Sequence, residues 1–131
     1  MTRINCISPA ELTQRHLIAE YRELPRVFAL VRKAIARGER PDDPRNPEEY
    51  TLGRGHLRFF YPRLGYLLAR QALLIAEMKA RGFRAQYSSV DELSCGISEP
   101  WLGAWKPTQS AITLNRARIA LRLNKLPEAH T

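Results

Sequence analysis

Between Leu12 and Arg37 apolar residues fall at Leu17, Tyr21, Leu24, Phe28, Val31 and Ile35, alternately four and three apart. At about 100° per residue these positions line one stripe of a helix. Thr13 is suited to cap its start and Gly38 to end it. Pro25 lies inside the stretch; it removes a backbone donor and crowds the Tyr21 carbonyl, so a kink or break is expected there.

Two further stretches repeat the periodicity. One runs from Pro62, a good first-turn residue, to Arg81, with Gly82 as its stop. Its inward face is Leu64, Leu67, Leu68, Gln71, Leu74, Ile75 and Met78. The other runs from Thr108 to Lys125, with Ile112, Ile119, Leu123 and Leu126 as its apolar stripe and Pro127 beyond its end. The segments between are rich in proline and glycine or otherwise irregular, and no stretch alternates as a strand would. The expected architecture is all-α: a single compact domain over residues 1–131, with three main helices and long ordered loops. A chain of 131 residues can bury a real core. Cys6 and Cys95 are expected to be buried structural thiols in a reducing setting. No secretory signal opens the chain, and no stretch approaches the ~20 apolar residues of a membrane span. A cytoplasmic, nucleoid-associated monomer is expected.

The charge is one-sided. Lys and Arg total 21 against 13 acidic residues, a net charge of +8, with an isoelectric point near 10.1. Such an excess suits a polyanionic partner. On the first helix Arg15, Arg22, Arg26, Lys33 and Arg37 stack on a stripe opposite the apolar one. Solvated faces usually mix signs, and like charges four apart are mildly destabilising, so phosphates are the natural partner. Arg118, Arg122 and Lys125 repeat the pattern on the third helix. A merely solubilising basic face is the plain alternative for each. Tyr61, Trp101 and Trp105 are candidates for stacking or wedging at a distorted base step, whereas Phe59 and Phe60 read as core.

The chain lacks the usual catalytic signatures. His16, His56 and His130 have no metal-ligand spacing, and the acidic pairs Asp42–Asp43 and Asp91–Glu92 stand apart in loops. No Cys–His pairing or Gly-x-Ser-x-Gly run is present. What stands out is Glu23, on the flank between the arginines and the apolar face, seven residues from His16. By itself this carboxylate reads first as an ion-pair partner of Arg22 or Arg26.

Taken in order, MTRIN, HLIAEYRELPRVF, LGRGHLRFFYPRL, RQALLIAEMKARGF and NRARI resemble one family over nearly the whole chain. It is the pyrimidine-dimer DNA glycosylases and abasic-site lyases of the phage endonuclease V type, and the run EYRELPR following MTRIN is its specific signature here. The resemblance implies a metal-independent repair enzyme with no cofactor. Its partner would be double-stranded DNA containing pyrimidine dimers or abasic sites. Loss of Met1 would free the α-amine of Thr2, which titrates near ~7.7–8, and neighbouring Arg3, Arg22 and Arg26 would lower that further. The neutral amine would attack the sugar C1′ to form an imine, and β-elimination would nick the strand. By the same resemblance Glu23 is the catalytic carboxylate, and Arg3, Arg22, Arg26, Arg118 and Arg122 grip phosphates. Arg122 stands where the phage form has lysine. His16 matches an active-site position, where it would orient the backbone or Glu23.

One departure bears on specificity. The phage form ends in a tail crowded with aromatic residues, whereas this chain ends LNKLPEAHT. The alternative function is therefore a non-catalytic or lesion-altered basic module recognising distorted or abasic DNA.

Overall fold

The computed structural model describes residues 4–84 and 90–129. It is all-α, as the periodicity predicts, and among the described residues it has four helices: α1 Gln14–Ala36, α2 His56–Phe59, α3 Leu64–Ala80 and α4 Gln109–Ala129. The single-turn helix α2 is the addition to the three expected from sequence. Two 3-10 turns, Pro9–Glu11 and Glu99–Trp101, sit in the connections. Among the described residues the only extended pairing is one isolated antiparallel bridge between Arg63 and Leu102.

The helix ends follow their local chemistry. The Thr13 hydroxyl accepts the His16 N–H at the start of α1. Gly38 ends it at φ 87°, with its N–H on the Ile35 carbonyl and that of Glu39 on Ala34. Gly82 and Phe83 close α3 in the same way, on Lys79 and Met78. Only glycine takes such a left-handed position at no steric cost. The Thr108 hydroxyl accepts the Ala111 N–H at the start of α4. That helix continues through Pro127 to Ala129. The expected stop at Pro127 is thus not observed: one ladder bond lost in a final turn does not end a helix.

Pro25 does not break α1 either. Proline leaves the carbonyl four residues back without its ladder donor. Here that carbonyl, on Tyr21, accepts the Gln71 side-chain amide at 3.1 Å. Gln71 is fully buried on α3, so the partner helix supplies the missing donor and α1 runs on as one element.

α1 packs against α3. Leu17, Tyr21, Leu24, Phe28 and Val31 meet Leu64, Leu67, Leu74, Ile75 and Met78 in the core, while Ile35, predicted inward, is exposed. Phe59 and Phe60 are fully buried, as predicted. Of the two thiols only Cys6 is buried; Cys95 is exposed, a correction to the expectation of two core cysteines. Burial pushes the Cys6 thiol up to about 11. Gly65 and Gly103 let the loop before α4 cross the start of α3, where a Cβ on either would collide with backbone oxygens. The loop between α1 and α2 is ordered by charge, since Glu39 pairs with Arg37, Arg45 and Arg58, and Asp43 with Arg45.

Inside this core lies an ion pair that the amphipathic reading did not expect. Glu20, fully buried, receives two bonds from Arg70, at 2.8 and 3.0 Å. Asn5 donates to the same carboxylate at 2.7 Å and accepts from Asn115 of α4 at 2.7 Å. Arg70 also donates to the Ile7 carbonyl. Removing one member of a buried pair leaves an uncompensated charge, which typically costs about 3–5 kcal/mol. Glu20→Ala is accordingly expected to lower unfolding stability by that amount in a urea titration. Replacing Glu20 and Arg70 together with methionine should cost less, and a loss under ~1 kcal/mol for the single variant would contradict this account.

Candidate active site and nucleic-acid interface

The described chain begins at Ile4, in neither helix nor sheet, so its backbone groups need other partners. Side chains supply them. The Ile4 N–H donates to His56 Nε2 at 2.8 Å, and its carbonyl accepts the Tyr50 hydroxyl at 3.0 Å. The Asn5 carbonyl accepts the Tyr66 hydroxyl at 3.1 Å. The Cys6 N–H donates to Asn115 Oδ1 at 2.7 Å. With Arg70 on the Ile7 carbonyl, residues 4–7 are fastened to the α1–α2 loop and to α2, α3 and α4. Burial pushes the phenols of Tyr50 and Tyr66 far up, so both remain donors.

This segment leads directly to Thr2 and Arg3, which lie outside the described residues. Three residues of chain reach at most ~10 Å. Asn5 is bonded to Glu20, and Glu23 lies three residues on in the same helix, a rise of about 4.5 Å. The start of the described chain is thus tied to the α1 residue three positions before Glu23.

Glu23 is mostly buried, with 17% of its side chain exposed, and pairs with Arg26 at 3.2 Å. Arg15, Arg22, Arg26 and Lys33 are exposed along α1. Arg37, read from sequence as part of the same stripe, is tied to Glu39 and so is partly neutralised. Among the described residues Arg15, Arg22, Lys33, Arg118 and Arg122 enter no ion pair. Several other arginines serve the fold: Arg32 caps the Leu93 and Cys95 carbonyls, Arg81 those of Pro9 and Leu12, and Arg116 pairs with Glu11. Arg122 is exposed and Arg118 half-buried on α4, whereas the side chain of Lys125 lies outside the described part.

His16 faces Thr13 through its Nδ1 at 2.9 Å; no hydrogen bond joins it to Glu23. Partial burial lowers the tendency of its imidazole to protonate, and the charges of Arg122 and Arg15 lower it further. The start of α1 and the end of α4 therefore share one basic field. Arg122→Gln is expected to raise the His16 midpoint in an NMR titration, yet leave it below an ordinary histidine because burial remains. An unmoved midpoint would contradict the adjacency.

Beside Arg22 a cleft of about 540 Å³ opens between α1 and the end of α3, lined by Ile18, Tyr21, Arg22, Pro25, Met78, Phe83 and Arg84. The three aromatic candidates for base stacking are drawn inward instead. Tyr61 and Trp101 are buried, with the Arg58 guanidinium 4.8 Å from the Tyr61 ring centre. Trp105 stacks on Tyr50, ring centres 5.6 Å apart, amid Phe59, Phe60 and Tyr66. Neither tryptophan is left exposed. Among the described residues no group of three or more His, Cys, Asp and Glu comes together as a metal-holding cluster, and no helix is long and apolar enough to cross a membrane.

A family model described as pyrimidine dimer DNA glycosylase matches residues 1–90. The chain belongs to that family. The pyrimidine dimer DNA glycosylase match includes Thr2, Arg3, His16, Arg22, Glu23 and Arg26, and ends before α4, so Arg118 and Arg122 stand outside it. It makes the chain a DNA-repair glycosylase, with DNA as its substrate. The buried network behind the N-terminus was missed at the sequence level. A signal for it exists: Glu20 and Arg70 each sit three residues after and four before apolar core positions, where a charge is costly.

Proposed function

We propose that this glycosylase removes ultraviolet-induced pyrimidine dimers from duplex DNA and nicks the strand, with the Thr2 α-amine as nucleophile after loss of Met1. The observation that supports the reading best is the fastening of residues 4–7, which starts two residues after Thr2 and ties Asn5 to Glu20, three residues before Glu23 on α1.

The amine lone pair attacks C1′, and the glycosidic bond electrons leave with the base, which takes up a proton. Glu23 stabilises the positive charge that develops on the sugar. Opening of the sugar ring gives an imine between Thr2 and C1′. Glu23 then assists removal of the C2′ proton, the C3′–O bond breaks so that the downstream strand leaves with a 5′ phosphate, and water hydrolyses the remaining unsaturated imine to free the Thr2 amine. Arg3, Arg22, Arg26, Arg118 and Arg122 hold phosphates around the lesion, and neutral His16 lines the site beside Arg122.

Borohydride reduces such an imine to a stable covalent adduct. Trapping is therefore expected on duplexes carrying a pyrimidine dimer and on those carrying an abasic site, with dimer duplexes incised in preference to oxidised pyrimidines. Salt-sensitive binding without any adduct would establish the non-catalytic module instead. Adducts on abasic DNA alone would move the substrate away from dimers.

A further inference from the structure

His56 is buried between two backbone partners. Its Nδ1 faces the Thr51 carbonyl at 2.7 Å, and its Nε2 accepts the Ile4 N–H at 2.8 Å. A carbonyl only accepts, so the ring proton sits on Nδ1 and the lone pair on Nε2: a neutral imidazole in one tautomer. The Tyr50 hydroxyl holds the carbonyl of the same residue, Ile4, at 3.0 Å. The Tyr50 ring packs edge-on against His56, with centres 5.6 Å apart. Burial of the Ile4 side chain would by itself fix where the segment sits. It would not fix rotation of the backbone about that anchor, and bonds to the peptide groups on both sides of Ile4 do.

From Ile4 the chain has two residues left to reach the Thr2 amine, a span of at most ~7 Å. A rotation of about 10° at Ile4 swings an end that far away by about 1 Å. An error of that size at a reacting atom can cost ~10²-fold in rate. We propose that His56 and Tyr50 are positioning residues for the N-terminal amine: by clamping both peptide groups of Ile4 they fix the orientation of the backbone to which Arg3 and Thr2 are joined. The inference rests on the amine reading above. Neither side chain touches substrate in this scheme.

The test separates placement from stability and from binding. Tyr50→Phe removes one hydroxyl and leaves the ring packing. His56→Phe removes both ring nitrogens, whereas His56→Gln keeps an acceptor and a donor on a neutral side chain. The measurements are the single-turnover rate of borohydride-trapped adduct on abasic duplex, the affinity for undamaged duplex, and the melting temperature. The expected result is a fall of roughly 10- to 100-fold in trapping rate for Tyr50→Phe and His56→Phe at unchanged affinity, with His56→Gln restoring most of it. If His56→Phe fails to fold, Tyr50→Phe and the double variant Tyr50→Phe/Tyr66→Phe carry the test. Folded variants that trap at the wild-type rate would overturn the inference, as would parallel losses of rate and affinity that His56→Gln does not relieve. A wild-type protein that never forms an adduct would instead overturn the amine reading itself.

Discussion

A protein whose Thr2 amine is acetylated, or which retains Met1, is expected to form no borohydride adduct and to make no incision, while binding duplex DNA almost as before. The chemistry requires a nitrogen lone pair at one point in space, and acylation delocalises that pair into an amide. Binding, on the proposed reading, rests on the arginines, and among the described residues Arg15, Arg22 and Arg122 are exposed and enter no ion pair. Affinity should therefore keep its steep decline with salt, since counterions are still released at each phosphate contact. Intact mass spectrometry of the starting protein belongs to the experiment, because it reports what fraction carries the free amine. Full activity from a blocked terminus would transfer the role to a lysine. Lys33, Lys79 and Lys106 are all exposed, and none sits in the desolvated pocket that activates a lysine nucleophile.

The periodic stretches foretold the three long helices, and the ends at Thr13, Gly38 and Gly82, because these rest on local steric and hydrogen-bonding rules. The break considered at Pro25 was local too, and the helix is continuous because of a contact from outside it: Gln71 stands 46 positions away in sequence and supplies the donor that proline lacks. The same distance in sequence hid the clamp on residues 4–7. Its members, from Tyr50, His56, Tyr66 and Arg70 to Asn115, come from four parts of the chain, and no spacing rule joins them. Trp101, Trp105 and Tyr61 show the converse. An aromatic residue in a loop reads equally as core or as a stacking surface, and the choice falls to packing partners such as Tyr50 and Phe59. Of the site itself, the exposed arginines were legible because helical geometry fixes their face. Whether each is engaged was not, since Arg37 loses its free charge to Glu39, a residue beyond the helix end.

Glu23→Gln decides between the two readings of the carboxylate. The ion pair with Arg26 is real, at 3.2 Å, but Arg26 is 72% exposed there. A pair so open to solvent contributes at most about 1 kcal/mol. If that were the whole role of Glu23, the glutamine variant would be slightly less stable and turn over normally. As the group that meets positive charge on the sugar and moves the C2′ proton, Glu23 acts on the transition state more than on bound DNA. Loss of one such group costs ~10²–10⁴ in rate. Affinity should hold or rise slightly, because a negative charge facing phosphates is gone and Arg26 is released to bind them. The two substrates then separate the steps. On an abasic duplex no base has to leave, so a loss there measures the contribution of Glu23 to proton transfer and elimination. A larger loss on a dimer duplex adds its contribution to glycosidic cleavage. A folded Glu23→Gln protein that binds normally and cleaves both duplexes at near wild-type rates would remove Glu23 from the mechanism and leave it as the neighbour of Arg26.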